Sequence, residues 1–243
     1  GRDARHHRRA AGAAARCEGA GAGRALGPPR VPPGRAPAGG AAHRGFGGTN
    51  SGSACYGTDT CDTHLRVNGR SNGNGDVGVL VLHGFTGNPG SMRGLAEACA
   101  AAGFHVELPQ LAGHGTAIED MIPTRWADWS GDAEKAYQVL SKRAKKIVVM
   151  GLSMGGALTL WMAAQHPEAL GIVCINPATQ PQPSEVIDML QGMIDGGTVT
   201  MDGIGSDIAD PNVRETAYSG TPLAAMKSFL SEGLAPLAPR YPS

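Results

Sequence analysis

Lys146–Gln165 reads KIVVMGLSMGGALTLWMAAQ. After Lys146, residues Ile147–Met150 form a short apolar run, three of the four β-branched, of the kind found in a strand buried on both faces. From Ala157 to Gln165 the residues are mostly good helix formers, with no proline among them. The two halves meet at Gly151-Leu152-Ser153-Met154-Gly155, so the chain passes from strand to helix through a very tight turn. Gly151 and Gly155 remove side chains that would clash as the backbone reverses, and Gly156 lets the helix lie close to the sheet. Ser153 is thereby held exposed at the tip. The N–H of Met154 opens the helix, where unpaired donors and the positive end of the macrodipole favour a developing anion.

The same alternation extends in both directions. Val77–His83 (VGVLVLH) is a second buried-strand run, and Ser91–Ala102 places Met92, Leu95, Ala96 and Cys99 at helical spacing before Gly103 ends the helix. A strand at Phe104–Leu108 follows, then a long loop, Pro109–Thr124, then a helix from Arg125 to Lys142. After the Lys146–Met150 strand and its helix comes a strand at Gly171–Asn176. Four strands, apolar on both faces and separated by helices, predict an α/β fold with a mostly parallel sheet flanked by helices. In Ser184–Ile194 the residues Val186, Ile187, Met189, Leu190, Met193 and Ile194 make one apolar helical stripe. It reads either as a lid over an apolar site or as an ordinary helix packed on the core. Asp195–Pro211 is Gly/Asp-rich and reads as loop, and Leu223–Leu230 as a short helix. Pro236, Pro239 and Pro242 then predict an extended exit, with no fifth strand.

Composition divides the chain. Residues 1–70 carry eleven arginines against Asp3, Glu18, Asp59 and Asp62, whereas the remainder holds ten basic and seventeen acidic residues. The first fifty residues are mostly Gly, Ala, Arg and Pro, and such a stretch cannot bury enough surface to offset its conformational entropy. Residues 1–75 are therefore expected to be a low-complexity segment, disordered or not native to the protein, and residues 76–243 the folded domain, with 177–235 its lid-like part. A basic arm for nucleic acid is the competing reading of the arginines; without interleaved aromatics or any lysine before Lys135, no nucleic-acid partner is expected. No run of eighteen uncharged apolar residues exists, which excludes a membrane-spanning helix. Five scattered cysteines do not form a disulfide framework, which predicts a reducing, cytoplasmic setting. Cys55, Cys61 and His64 match no common zinc spacing, and no metal or cofactor is expected.

Two glycine patterns fail on context. Gly69-Arg70-Ser71-Asn72-Gly73 repeats the Gly-x-Ser-x-Gly spacing, but no apolar strand precedes Ser71 and no helix follows. Gly73–Gly78 has the dinucleotide spacing, yet it precedes its strand instead of following one.

His83-Gly84-Phe85-Thr86-Gly87 stands directly after the first strand of the domain. Together with Leu111-Ala112-Gly113-His114-Gly115, the Trp126–Trp129 stretch and Gly151–Gly156, it resembles the α/β-hydrolase superfamily, and more narrowly its bacterial carboxylesterase and monoacylglycerol lipase branch. The resemblance runs from Val77 to Leu237. It implies a serine carboxylic-ester hydrolase, of carboxylesterase or monoacylglycerol lipase type, acting on short or medium acyl esters, with Ser153 as nucleophile and the backbone N–H groups of Phe85 and Met154 as oxyanion hole. It also implies that His83 and Gly84 support the oxyanion loop, that Gly151 and Gly155 support the nucleophile turn, and that His114 is structural.

In that family an acid and then a histidine follow the serine. After Ser153 the only histidine is His166; some twelve residues of helix at ~1.5 Å each place it roughly 18 Å away, against the ~3 Å a general base needs. Asp188, Asp195, Asp202, Asp207 and Asp210 all fall in the lid-like region, and none follows a buried strand. The expectation is an incomplete hydrolase domain with its acid and histidine beyond Ser243, weakly active or inactive, with an apolar sheet edge left exposed. The alternative is a hydrolase-like binding protein without catalysis. Neither acyl length nor oligomeric state follows from these residues.

Overall fold

The computed structural model describes residues 64–67, 75–203, 205, 208–210, 212 and 216–240. The rest of the Arg-rich segment, with Ser71, Cys17, Cys55 and Cys61, lies outside the described residues.

The alternation of strands and helices folds as the periodicity predicts. Strands β2 (Val77–Leu82), β3 (His105–Leu108), β4 (Lys146–Leu152) and β5 (Gly171–Ile175) pair in parallel, in the spatial order β3-β2-β4-β5. Helices α1 (Gly90–Ala101), α3 (Trp126–Ser141) and α4 (Met154–Gln165) connect them. Because side chains alternate across a strand, β2 feeds two cores. Val79 and Val81 pack with Met92 and Ala96 of α1 and with Val106 and Leu108. Leu80 and Leu82 face the other way, onto Trp129, Ala133 and Leu140 of α3 and Leu158 of α4. Burying each such aliphatic side chain contributes about 1.5–3 kcal/mol. In register, Val77–Leu82 of β2 lies against Lys146–Gly151 of β4. The carboxyl ends of these two strands therefore bring His83-Gly84 and Ser153 to the same edge of the sheet.

Four features depart from the sequence reading. First, Leu65–Val67, inside the segment 1–75, is a strand, β1, antiparallel to β3. A three-residue strand gives no readable alternation; what holds it is charge. Glu107 of β3 is fully buried and ion-paired to His64, Arg66 and Arg143. Second, a single-turn helix, α2 (Ile118–Met121), interrupts the predicted 109–124 loop. Third, further strands do follow: β6 (Thr200–Asp202) and β7 (Gly220–Pro222) form an antiparallel pair after α5 (Ser184–Asp195). Fourth, Pro236 and Pro239 do not give an extended exit, and Pro242 lies outside the described residues. Helix α6 (Leu223–Ser228) runs into a π-helix at Phe229–Leu234, a short turn α7 (Ala235–Leu237) and a 3₁₀ turn (Ala238–Arg240). Pro236 is the second residue of α7, which continues from the π-helix without a break.

The expected apolar edge is β5, whose Ile172, Val173 and Ile175 are 40%, 43% and 37% exposed. Among the described residues no helix is long and apolar enough to cross a membrane.

Candidate active site

Ser153 sits between β4 and α4 at φ 55° and ψ −114°, a conformation that costs a non-glycine residue about 1–3 kcal/mol. The turn is pinned on three sides. The Ser153 N–H donates to the Ile175 carbonyl at 3.1 Å, and its own carbonyl accepts from Ala157 and from Ala178, each at 3.1 Å. A Cβ on Gly155 would stand 2.2 Å from the Leu82 carbonyl oxygen. The start of α4 therefore lies directly against the end of β2, which only a glycine permits. Among the described residues the Ser153 hydroxyl has no hydrogen-bond partner.

The loop after β2 faces this serine. A Cβ on Gly84 would make ordinary contact, 3.5 Å, with the Ser153 Cβ. Phe85, Thr86 and Ser153 together line a cavity of about 330 Å³. Met201, Met226, Phe229 and Leu230 supply its apolar wall, and Asp202, Ser219 and Thr221 add polar groups. The Phe85 ring stacks on Phe229 at 5.8 Å and meets the edge of Trp129 at 5.6 Å. Met154 is fully buried as the first residue of α4, so its N–H has no acceptor within the helix.

His83 lies beneath the loop, fully buried. Its Nδ1 donates to the Gly84 carbonyl at 3.0 Å, and its Nε2 accepts from the Leu111 N–H at 3.2 Å. Burial, reinforced by neighbouring His114, lowers its pKa to about 3. His114 is also fully buried, donates from Nδ1 to the Ala112 carbonyl at 3.0 Å, and is pushed by burial to about 4. Both rings are neutral at physiological pH, and both hydrogen-bond the main chain of the loops around the serine. His166, at the far end of α4, is spoken for as well. Nε2 donates to Glu134 at 2.7 Å, Nδ1 donates to Glu168 at 2.9 Å, and the ring stacks on Tyr137 at 3.9 Å.

The structure thus gathers Ser153, Met154, Gly151, Gly155, Gly84 and Phe85 at one place, with His83 under them. Sequence reasoning missed three contributors. Asp202 reaches the cavity because the Gly/Asp-rich stretch folds back as β6. Asn88, 3% exposed, donates from Nδ2 to the carbonyl and to the Oγ1 of Thr216, both at 2.9 Å. Tyr218 donates its N–H to the Thr86 carbonyl at 3.0 Å and its hydroxyl to the Gly113 carbonyl at 2.9 Å. The available signal was Tyr218 itself, an aromatic in a stretch otherwise small and polar.

A sheet that delivers a strained serine from a strand into a helix, facing a glycine loop from the neighbouring strand, defines a class. Residues 78–201 match the model of the alpha/beta hydrolase fold. The chain belongs to that family. It is 50% identical over 155 residues to a thermostable monoacylglycerol lipase of Bacillus sp. (strain H-257), covering 63% of this chain and 60% of that protein. It is 35% identical over 121 residues to a carboxylesterase of Bacillus subtilis (strain 168), covering 49% and 48%. The chain therefore spans about half to three-fifths of these relatives. Among solved structures, one described with the metagenome-derived lipolytic enzymes LipS and LipT superposes with TM-score 0.65 at 40% identity, covering 73% of this chain and 69% of that one.

Proposed function

We propose that this chain carries the nucleophile and oxyanion-hole half of a serine carboxylic-ester hydrolase. The carrying observation is Ser153, strained on its turn at the floor of a mostly apolar cavity, with the Phe85–Thr86 loop beside it. Ser153 Oγ would add to the ester carbonyl, and the N–H groups of Phe85 and Met154 would hold the tetrahedral oxyanion. Expulsion of the alcohol leaves an acyl-enzyme, which water hydrolyses to return the serine. The wall of Met201, Met226, Phe229 and Leu230 suits a short or medium acyl chain. The names of the bacterial relatives, a monoacylglycerol lipase and a carboxylesterase, point to the same substrate class. His83, Gly84, Gly151 and Gly155 are assigned support of this machinery.

An unassisted serine hydroxyl is a weak nucleophile at neutral pH. Since the Ser153 hydroxyl has no partner among the described residues, feeble turnover is expected of the chain as it stands. The same observation favours the second reading, a hydrolase-like protein that binds acyl esters without turning them over. Prolonged exposure to a fluorophosphonate separates the two. Slow labelling of Ser153, abolished in Ser153→Ala, supports the hydrolase; failure to label, with retained binding of a fatty-acyl ester, supports the binding protein. Rapid, Ser153-dependent turnover of p-nitrophenyl butyrate would refute the unassisted serine.

A further inference from the structure

The Phe85–Thr86 loop is held from two sides, and only one of them belongs to the sheet. From below, His83 links Gly84 to Leu111. From above, the segment leading into β7 closes over it. Thr86 takes φ 59°, which a β-branched residue adopts only under constraint. The Gly87 N–H closes a turn onto the Gly84 carbonyl at 3.2 Å, and the Thr86 carbonyl accepts from the Tyr218 N–H at 3.0 Å. The Tyr218 hydroxyl is anchored in turn, donating to Gly113 and accepting from the Thr116 N–H at 3.0 Å. Two residues earlier, Thr216 is gripped by Asn88, whose Oδ1 also accepts from the Gly90 N–H at 2.8 Å and so fixes the start of α1. Tyr218 lines the cavity beside Thr86 and Phe229.

The geometry points to Tyr218 as a positioning residue: its hydroxyl seats the segment before β7 on the Gly113–Thr116 loop, and its N–H holds Thr86, so that this segment sets the placement of the Phe85 N–H. The inference rests on the reading of Phe85 as an oxyanion donor. It makes the wall of the acyl cavity and the oxyanion hole a single mechanical unit. Tyr218 touches the cavity but no reacting atom; it acts through the loop. A hydrogen bond that restrains a strained turn from outside is worth most where the turn must stay fixed while charge builds.

The test compares the whole chain with Tyr218→Phe, which deletes both hydroxyl bonds and keeps the ring. Amide hydrogen exchange is followed over residues 84–88, with α4 as internal reference. The variant is expected to exchange about tenfold faster over 84–88 and unchanged in α4, the size of effect that loss of two modest hydrogen bonds brings. Unaltered exchange at 84–88, or faster exchange across the whole fold, overturns the proposal. In parallel, butylboronic acid, which forms a tetrahedral adduct on the serine, is titrated beside hexanol, which needs only the apolar wall. A selective loss of about tenfold in boronate affinity supports positioning; an equal loss for both ligands marks a merely structural role and overturns it. If wild type binds boronate no better than Ser153→Ala, the proposed function fails, and the exchange result alone decides whether Tyr218 holds the loop.

Discussion

The main chains of Gly151 and Gly155 are in contact across the serine turn: a Cβ on Gly151 would lie 2.0 Å from the Gly155 carbonyl oxygen. The two nearest obstacles, the carbonyl oxygen and carbon of Gly155, are backbone and cannot swing aside, and the Thr159 hydroxyl stands 2.7 Å away as well. Gly151→Ala must open the turn and separate β4 from α4. The cost is expected at about 3 kcal/mol or more, at the upper end of overpacking effects, read as a lowered midpoint of urea unfolding. A midpoint within error of wild type would show that the turn tolerates a side chain.

The strain at Ser153 predicts an exchange of function for stability. Ser153→Gly removes both the nucleophile and the Cβ that makes φ 55° unfavourable. Relief of the left-handed conformation should outweigh the added flexibility of the unfolded glycine, leaving the variant about 1 kcal/mol more stable than Ser153→Ala. Parallel urea titrations of the two variants provide the comparison, and equal stability would mean the turn stores no strain.

Glu107 predicts the fate of β1. Its carboxylate is the common partner of His64, Arg66 and Arg143, and it is fully buried. Glu107→Gln leaves the Arg66 and Arg143 guanidinium groups facing a neutral amide, a loss expected at about 3–5 kcal/mol. Limited proteolysis should then cut near Leu65–Val67 before it touches the rest of the sheet. Simultaneous loss of the whole domain would argue against a separable strand.

His166 gives a pH dependence whose sign can be worked out. Burial works to lower its pKa, but the hydrogen bonds to Glu134 and Glu168 prevail and raise it above 6.5. Burial works to raise Glu134, yet the bonds from His166 and Gln138 hold it low. Glu168 is held low by its own backbone N–H and by His166. The imidazolium contribution is therefore complete below about pH 6.5 and fades as pH rises through the raised value, while the carboxylate contributions fade as pH falls below about 4.5. His166→Gln should lower the melting temperature most near pH 5.5 and much less at pH 9. A difference that does not vary with pH would dissolve the clamp between α3 and α4.

The exposed edge of β5 should promote association. Val173→Lys places a charge in the middle of Ile172, Val173 and Ile175, the device by which natural edges avoid pairing. Light scattering at high concentration should fall in the variant, and unchanged scattering would locate self-association elsewhere.

The parts legible in the sequence are those with a period or a local turn. Val77–Leu82 and Ile147–Leu152 show themselves as apolar runs because both faces are largely buried, and Ser153 because a strand, two glycines and a helix surround it. Strands β1, β6 and β7 are three residues long, too short for any alternation, and are held by partners remote in sequence. Tyr218 meets Thr116 across 102 residues and Asn88 meets Thr216 across 128. Such bonds leave no mark on the residues between. The prolines at 236 and 239 misled for a different reason: a short helical turn can begin with proline, and an isolated X-Pro pair does not reveal whether the chain coils or extends.

The wide turn at Phe229–Leu234 has a bearing on how this chain tolerates change in length. Phe229 and Leu230 line the cavity and, with Leu234 and Leu237, also pack in the buried core, and a regular helix advances about 100° per residue. The segment winds as a π-helix, and Gly233 lies where a Cβ would come within 2.6 Å of the Trp126 ring. Deleting one residue, Ser231 for instance, would rotate the side chains that follow by about 100° and turn Leu234 and Leu237 out of the core. Volume-preserving substitutions here should be absorbed, whereas insertions and deletions should not: in this segment the count of residues carries information that their chemistry does not.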